Sequence, residues 1–175
     1  MLYHASQQSG IKELVPQMST HGRKNVYAIN NRTTAILFGA PKDDFDILLD
    51  EVDGKPVIFE CYPNALRKIY SEKTCYLYGL REEGFLANQT GWEPELVCEH
   101  NVPVVSEEKI ENIYNEIIAS IHGGSCIFHA YSTDEEYQMF LRDELSERIR
   151  NFGITDEQMD ADPRFALYFN TLLEH

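Results

Sequence analysis

Short runs with a period of two fill most of the chain up to about residue 105, and helical periods take over in the remainder. Leu2–Ala5 reads as a first strand, and residues 7–20 as mostly loop broken by Gly10 and Pro16. Val26, Tyr27 and Ile29 are β-branched or aromatic and open a second strand. Asn30 or Asn31 then caps a short helix over Arg32–Phe38 that stops at Gly39. Lys42–Gly54 is acidic and ends in the turn pair Asp53-Gly54. Further strands are predicted over Pro56–Tyr62, Thr74–Leu80, Glu95–His100 and Val102–Val105, with a short helical turn over Asn64–Ile69 after Pro63. Arg81–Trp92 is a polar, irregular loop.

Ile110, Ile113, Tyr114, Ile117, Ile118 and Ile121 recur at helical spacing. They predict a helix over Ser106–Ile121, capped by Ser106 and ended by Gly123-Gly124. Cys126–Tyr131 reads as extended. Thr133 with Glu136 forms a candidate capping box for a helix carrying Tyr137, Phe140, Leu141, Leu145 and Ile149, closed by Gly153. Asp162-Pro163 starts a last helix through Leu172. Strands first and helices last predict an α+β fold. The expected division is a domain over residues 1–131, a helical extension over 132–172 packed on it, and a tag remnant over 173–175.

Charge narrows the partners. The net charge of −14 disfavours a nucleic-acid partner, because phosphate backbones select basic surfaces. The acids concentrate after Asp134, whereas Met1–Lys42 holds Lys12, Arg23, Lys24, Arg32 and Lys42 against Glu13 alone. That local basic region suits a small anionic ligand. Cys61, Cys75, Cys98 and Cys126 are far apart without zinc-site spacing, and they read as reduced core residues. No run of eighteen apolar residues and no signal peptide is seen, so a cytoplasmic protein without a membrane partner is expected. A Gly-x-Ser-x-Gly elbow, a phosphate-binding Gly-x-x-x-x-Gly-Lys loop and a Gly-x-Gly-x-x-Gly turn are all missing. Oligomeric state is not legible.

The strand–corner–helix unit around Asn25–Gly39 has two aromatic rings, Tyr27 and Phe38, that can flank a flat ligand. Buried aromatics are the default, so a core role for both rings stands beside this reading. His4 ends the first strand, and Glu95 begins a later one after the loop holding Trp92. Glu93, Glu99 and Glu60 are rival carboxylates.

Over roughly residues 1–109 these pieces resemble the ADP-ribosyltransferase superfamily, in the branch marked by His, Tyr and Glu on three separate strands. Tyr3-His4-Ala5-Ser6 resembles its Tyr-His-Gly-Thr/Ser opening, with Ala5 in place of the glycine. Val26-Tyr27-Ala28, with Phe38 eleven residues beyond the tyrosine, resembles its second motif, and Pro94–Val102 its glutamate strand. The N-terminal part is also similar to the small rifamycin-modifying transferases. The resemblance implies a split β-sandwich of short strands with peripheral helices, and a glycosyltransferase that uses NAD as co-substrate.

It further implies a role for each residue. Glu95 stabilises the positive charge that develops on the ribose. Tyr27 and Phe38 sandwich the cationic nicotinamide. His4 binds a ribose hydroxyl at the adenosine end, and the backbone of Ala5, beside Ser6, holds the nicotinamide amide. His21, Arg23 and Lys24 lie near the pyrophosphate, with Arg23 the best match for its oxygens. The acceptor, a small molecule or a protein, is not legible. Two other readings are an inactive domain of the same fold that binds a nucleotide or a partner, and a relative of the NAD-dependent RNA 2′-phosphotransferases.

Overall fold

The computed structural model describes residues 1–18 and 23–165, and the fold is mixed α+β. Strands β1 (Leu2–Ser6), β2 (Glu13–Leu14), β3 (Gln17–Met18) and β4 (Lys24–Ile29) come first, followed by helix α1 (Arg32–Leu37). Strands β5 (Ile47–Val52) and β6 (Lys55–Glu60), helix α2 (Ala65–Tyr70) and strands β7 (Cys75–Leu80), β8 (Leu86–Ala87), β9 (Glu95–Cys98) and β10 (Val102–Ile110) follow. Helix α3 (Ile113–His122), strand β11 (Ile127–His129) and helices α4 (Glu135–Phe152) and α5 (Asp156–Ala161) complete the order. Among the described residues, no helix is long and apolar enough to cross a membrane.

Two sheets form. An eight-stranded sheet runs β2-β10-β7-β1-β4-β9-β8, with β3 paired to β4, and a three-stranded sheet runs β11-β6-β5. The large sheet is apolar on both faces. Leu2, Val26, Ala28, Tyr78, Leu80 and Cys98 form a cluster on one face. Residues of opposite parity, such as Ile29, Cys75 and Leu77, join the main core on the other. That core also takes Ile47 and Ile58 of the second sheet, Ile36 and Leu37 of α1, Ile113 and Ile117 of α3, and Leu141 and Leu145 of α4. The helices after residue 131 are therefore part of the same packed interior as the sheets. All four cysteines are buried and unpaired.

Local chemistry explains most element ends. Asn31 caps α1 by accepting the Thr34 N–H at 3.1 Å. Asp53 and Gly54, both at positive φ, make the two-residue hairpin turn between β5 and β6. Gly153, also at positive φ, ends α4. At α2 the start signal is remote: the buried carboxylate of Glu60 accepts the Leu66 N–H at 2.9 Å, and Asn64 makes no side-chain cap.

Four expectations are corrected. The helix over Ser106–Ile121 is shorter: Ser106–Ile110 belongs to β10, and α3 starts after Asn112, which accepts the Asn115 N–H. Strand pairing wins there because β7 offers a full ladder from Ser106↔Gly79 to Ile110↔Cys75, which outweighs local helix preference. The acidic stretch 42–54 contains β5, where the adjacent acids Asp50 and Glu51, one on each face, hide the alternation. The Thr133–Glu136 box is not used, since Asp134 occupies the cap position; the capping box of this region is Thr155–Gln158, which opens the unexpected α5. The loop over residues 7–20 carries β2 and β3, which pair with β10 and β4. Most of the helix expected from Asp162 to Leu172, and the tag remnant, lie outside the described residues.

Because Leu145 is 1 % exposed inside the shared core, Leu145→Ala should lower unfolding free energy by about 2–5 kcal/mol. Urea unfolding followed by both tryptophan fluorescence and circular dichroism should show one coincident transition moving to lower urea. An unmoved transition would mean that α4 does not share the core.

Candidate functional site

The site grows from three neighbouring antiparallel strands, β1, β4 and β9. Between β4 and β9 the register pairs Tyr27 with Val97 and Ile29 with Glu95. Directly opposed residues share a face, so Tyr27 and Glu95 lie on the same face as diagonal neighbours. Leu96 and Cys98 face the other way, toward the Leu2–Tyr78 cluster.

A cavity of about 530 Å³ opens on the Tyr27–Glu95 face. Tyr27, Phe38, Trp92, Glu95, Lys42 and Arg148 are among the residues that line it. Phe38 is held there because α1 ends at Leu37 and leaves its ring beside that of Trp92, 5.7 Å between centroids and tilted by 53°. The Nζ of Lys42 sits over the Phe38 ring, 4.9 Å from its centroid. Burial lowers the Lys42 pKa, against an opposing pull from Asp44. Arg148 reaches in from α4, and its Nη1 donates to the Asp44 carbonyl at 2.6 Å. A wall with four aromatic rings, the carboxylate of Glu95 at the strand end and that of Asp44 beside Lys42 can receive a flat ring joined to a polar, electron-poor carbon.

His4 is close but stands apart from this wall. Its Nδ1 lies 2.8 Å from the Tyr27 carbonyl oxygen. A carbonyl only accepts, so Nδ1 carries the proton and Nε2 of the neutral ring is left as an acceptor. Burial lowers the His4 pKa, while the hydrogen bond to Tyr27 pulls it up. The ring therefore stitches β1 to β4 beside Tyr27, next to the single Tyr3↔Ile29 pair that joins the two strands.

The structure brings Tyr27, Phe38 and Glu95 into one cavity and leaves His4, Ala5 and Ser6 outside its lining. Arg23 lines a second chamber of about 290 Å³ with Asn25 and Glu99, and Tyr27 and Thr90 border both chambers. Lys24 is exposed at the start of β4, and His21 lies outside the described residues. Of the rival carboxylates, Glu99 belongs to the second chamber and Glu93 is exposed. Glu60 is committed elsewhere, accepting the Leu66 and Tyr131 N–H groups. Among the described residues, no cluster of His, Cys, Asp and Glu could hold a metal ion.

Trp92, Lys42 and Arg148 are among the wall residues that sequence reasoning did not assign. Trp92 was legible as the only tryptophan, just before the Glu95 strand. Arg148 gave no local signal, since α4 meets the cavity only through the tertiary fold.

Comparison with known proteins finds no match: no family, no curated protein and no solved structure resembles the chain closely enough to be identified with it.

The lowered His4 pKa sets a pH dependence. As pH falls below the ordinary value of 6.5, the unfolded chain takes the proton first, so His4 works against stability there. Its contribution is complete above that value and is lost as pH falls toward the lowered one. Urea unfolding between about pH 8 and pH 5 should show the wild type losing more stability than His4→Asn. Parallel curves would remove His4 from the account.

Proposed function

We propose that this protein is an ADP-ribosyltransferase-like enzyme. It binds NAD and transfers ADP-ribose to an acceptor with release of nicotinamide. The observation that carries the reading is that Tyr27 of β4, Phe38 at the end of α1 and Glu95 of β9 line one cavity. His4 bears on the site only through the backbone, its Nδ1–H donating to the Tyr27 carbonyl at 2.8 Å, because its register position opposite Tyr78 puts it on the other face of the sheet. The two-sheet α+β architecture is of the kind that a split β-sandwich reading requires.

In this reading Tyr27 and Phe38 flank the nicotinamide ring. Glu95 faces the ribose and stabilises the positive charge that develops at its C1 carbon. The acceptor's oxygen or nitrogen forms the new bond to C1 as the bond from C1 to nicotinamide breaks. Nicotinamide leaves neutral with the bonding pair, and the acceptor's proton passes to Glu95 or to water. Arg23, in the adjoining chamber, is the candidate for the pyrophosphate oxygens. The acceptor is a small molecule or a protein, and a cytoplasmic setting belongs to the same proposal.

A proton NMR time course of NAD with the protein tests this. Nicotinamide signals should broaden and then give way to free nicotinamide. Glu95→Gln should slow release by about 10²–10³-fold, with circular dichroism unchanged. Unchanged release in Glu95→Gln would sink the Glu95 assignment. Broadening without release in the wild type would point instead to a nucleotide-binding domain that does not turn over.

A further inference from the structure

The aromatic cavity already contains a cation. The Nζ of Lys42 stands over the face of Phe38, 4.9 Å from the ring centre, and both residues line the same wall as Trp92, Tyr27 and Glu95. The ring face of an aromatic side chain attracts positive charge through its quadrupole, and a second cation brought to the same face meets the first at short range. A flat neutral ring does not. It can lie between Phe38 and Tyr27 beside the ammonium without charge repulsion. One aromatic face therefore treats two ligands of the same shape differently according to their charge.

We propose that Lys42 is the charge-selecting residue of this cavity: its ammonium, held over Phe38, disfavours a cationic ring and admits a neutral one. The inference deepens the transferase reading and rests on it for its biological meaning. The ring of the dinucleotide is positive before the bond to ribose breaks and neutral afterwards. Lys42 then opposes the bound substrate ring and not the released one, while Glu95, on the same wall, draws positive charge toward the ribose. The lysine and the glutamate act in one direction, moving charge off the ring.

Arg148 also lines the cavity, but its Nη1 is committed to the Asp44 carbonyl. Lys42 is the cation seated over the Phe38 ring. Asp43, Asp44 and Asp46 act on Lys42 from its own segment and favour its charged form, and Arg148 of α4 opposes them.

The test uses two probes of nearly equal shape, neutral nicotinamide and cationic 1-methylnicotinamide, titrated separately against the full chain with ligand-observed NMR. The wild type should bind the neutral probe more tightly. In Lys42→Met the affinity ratio should move about tenfold toward the cation, and Lys42→Gln should move it the same way. Lys42→Arg, which keeps the charge, should hold the wild-type ratio within about twofold. A ratio unmoved in Lys42→Met, or an arginine variant that behaves like the methionine one, would overturn the inference. So would failure of both probes to bind. No NAD is present in these titrations, so the two proposals fail separately. A shifted ratio without NAD turnover sinks the transferase reading alone, and turnover with an unmoved ratio sinks this inference alone.

Discussion

The antiparallel register between β4 and β9 is the constraint on which the site depends. It sets Tyr27 opposite Val97 and Ile29 opposite Glu95. A slip of β4 by one residue would turn Tyr27 toward the apolar cluster, away from Glu95, and bring Val26 and Ala28 to the cavity face. That exchange is opposed by burial, since Val26, Ala28 and Cys98 are each almost wholly withdrawn from solvent. The chemistry on one face is thus held in position by hydrophobic packing on the other. The site needs no strained backbone at Tyr27 or Glu95 to be specific, only a register that packing enforces, with Ile29 and Val97 buried on the site's own face and Val26 and Ala28 on the other.

A second set of polar contacts fastens the C-terminal helices to this frame. Glu60, buried at the end of β6, accepts N–H groups from Leu66 and Tyr131, and its carbonyl accepts from Tyr137 Oη at 3.0 Å. One residue therefore starts α2 and anchors the approach to α4. Arg164 contacts the carboxylates of Asp43, Asp46 and Asp162 at 2.6, 2.8 and 2.5 Å, and Asp162 and Asp43 raise its pKa. Tyr62 donates to Asp46 at 2.9 Å within the same group. The carboxylates around Arg164 neutralise its charge, so the loop before β5 and the end of the described chain are tied together without an isolated buried ion. Arg148, between these two anchors in sequence, reaches the cavity wall from α4.

Elements governed by local chemistry were the legible ones. The strand at Val26–Ile29, the asparagine-capped α1 and the Asp53-Gly54 turn carry their signals within a few residues. Glu95 and Phe38 were legible for the same reason, each standing at an element boundary. The boundary at residue 110 was not, because Ile110 satisfies a helical period and a strand ladder equally well, and only pairing with Cys75 decides between them. Nor could the sequence tell which side of the strands His4 would serve, since its role depends on the Tyr27 carbonyl across a strand pair. Lys42 and Arg148 share a wall although they are separated by most of the chain, a relation that exists only after folding.

The parallel pairing of β11 with β6 carries a consequence for how the molecule is made. Residues 127–129 join a strand formed by residues 57–59, so the three-stranded sheet closes only after α2, β7 to β10 and α3 have been synthesised. Contacts so distant along the chain carry a large loop-closure cost and form late. On the ribosome, a nascent chain stopped before α4 holds Tyr27, Phe38 and Glu95 but has neither the helix that supplies Arg148 nor the burial of Ile58 and Leu145 in one interior. The pocket is completed only once α4 has been made, because that helix supplies Arg148 and Phe152 to its lining.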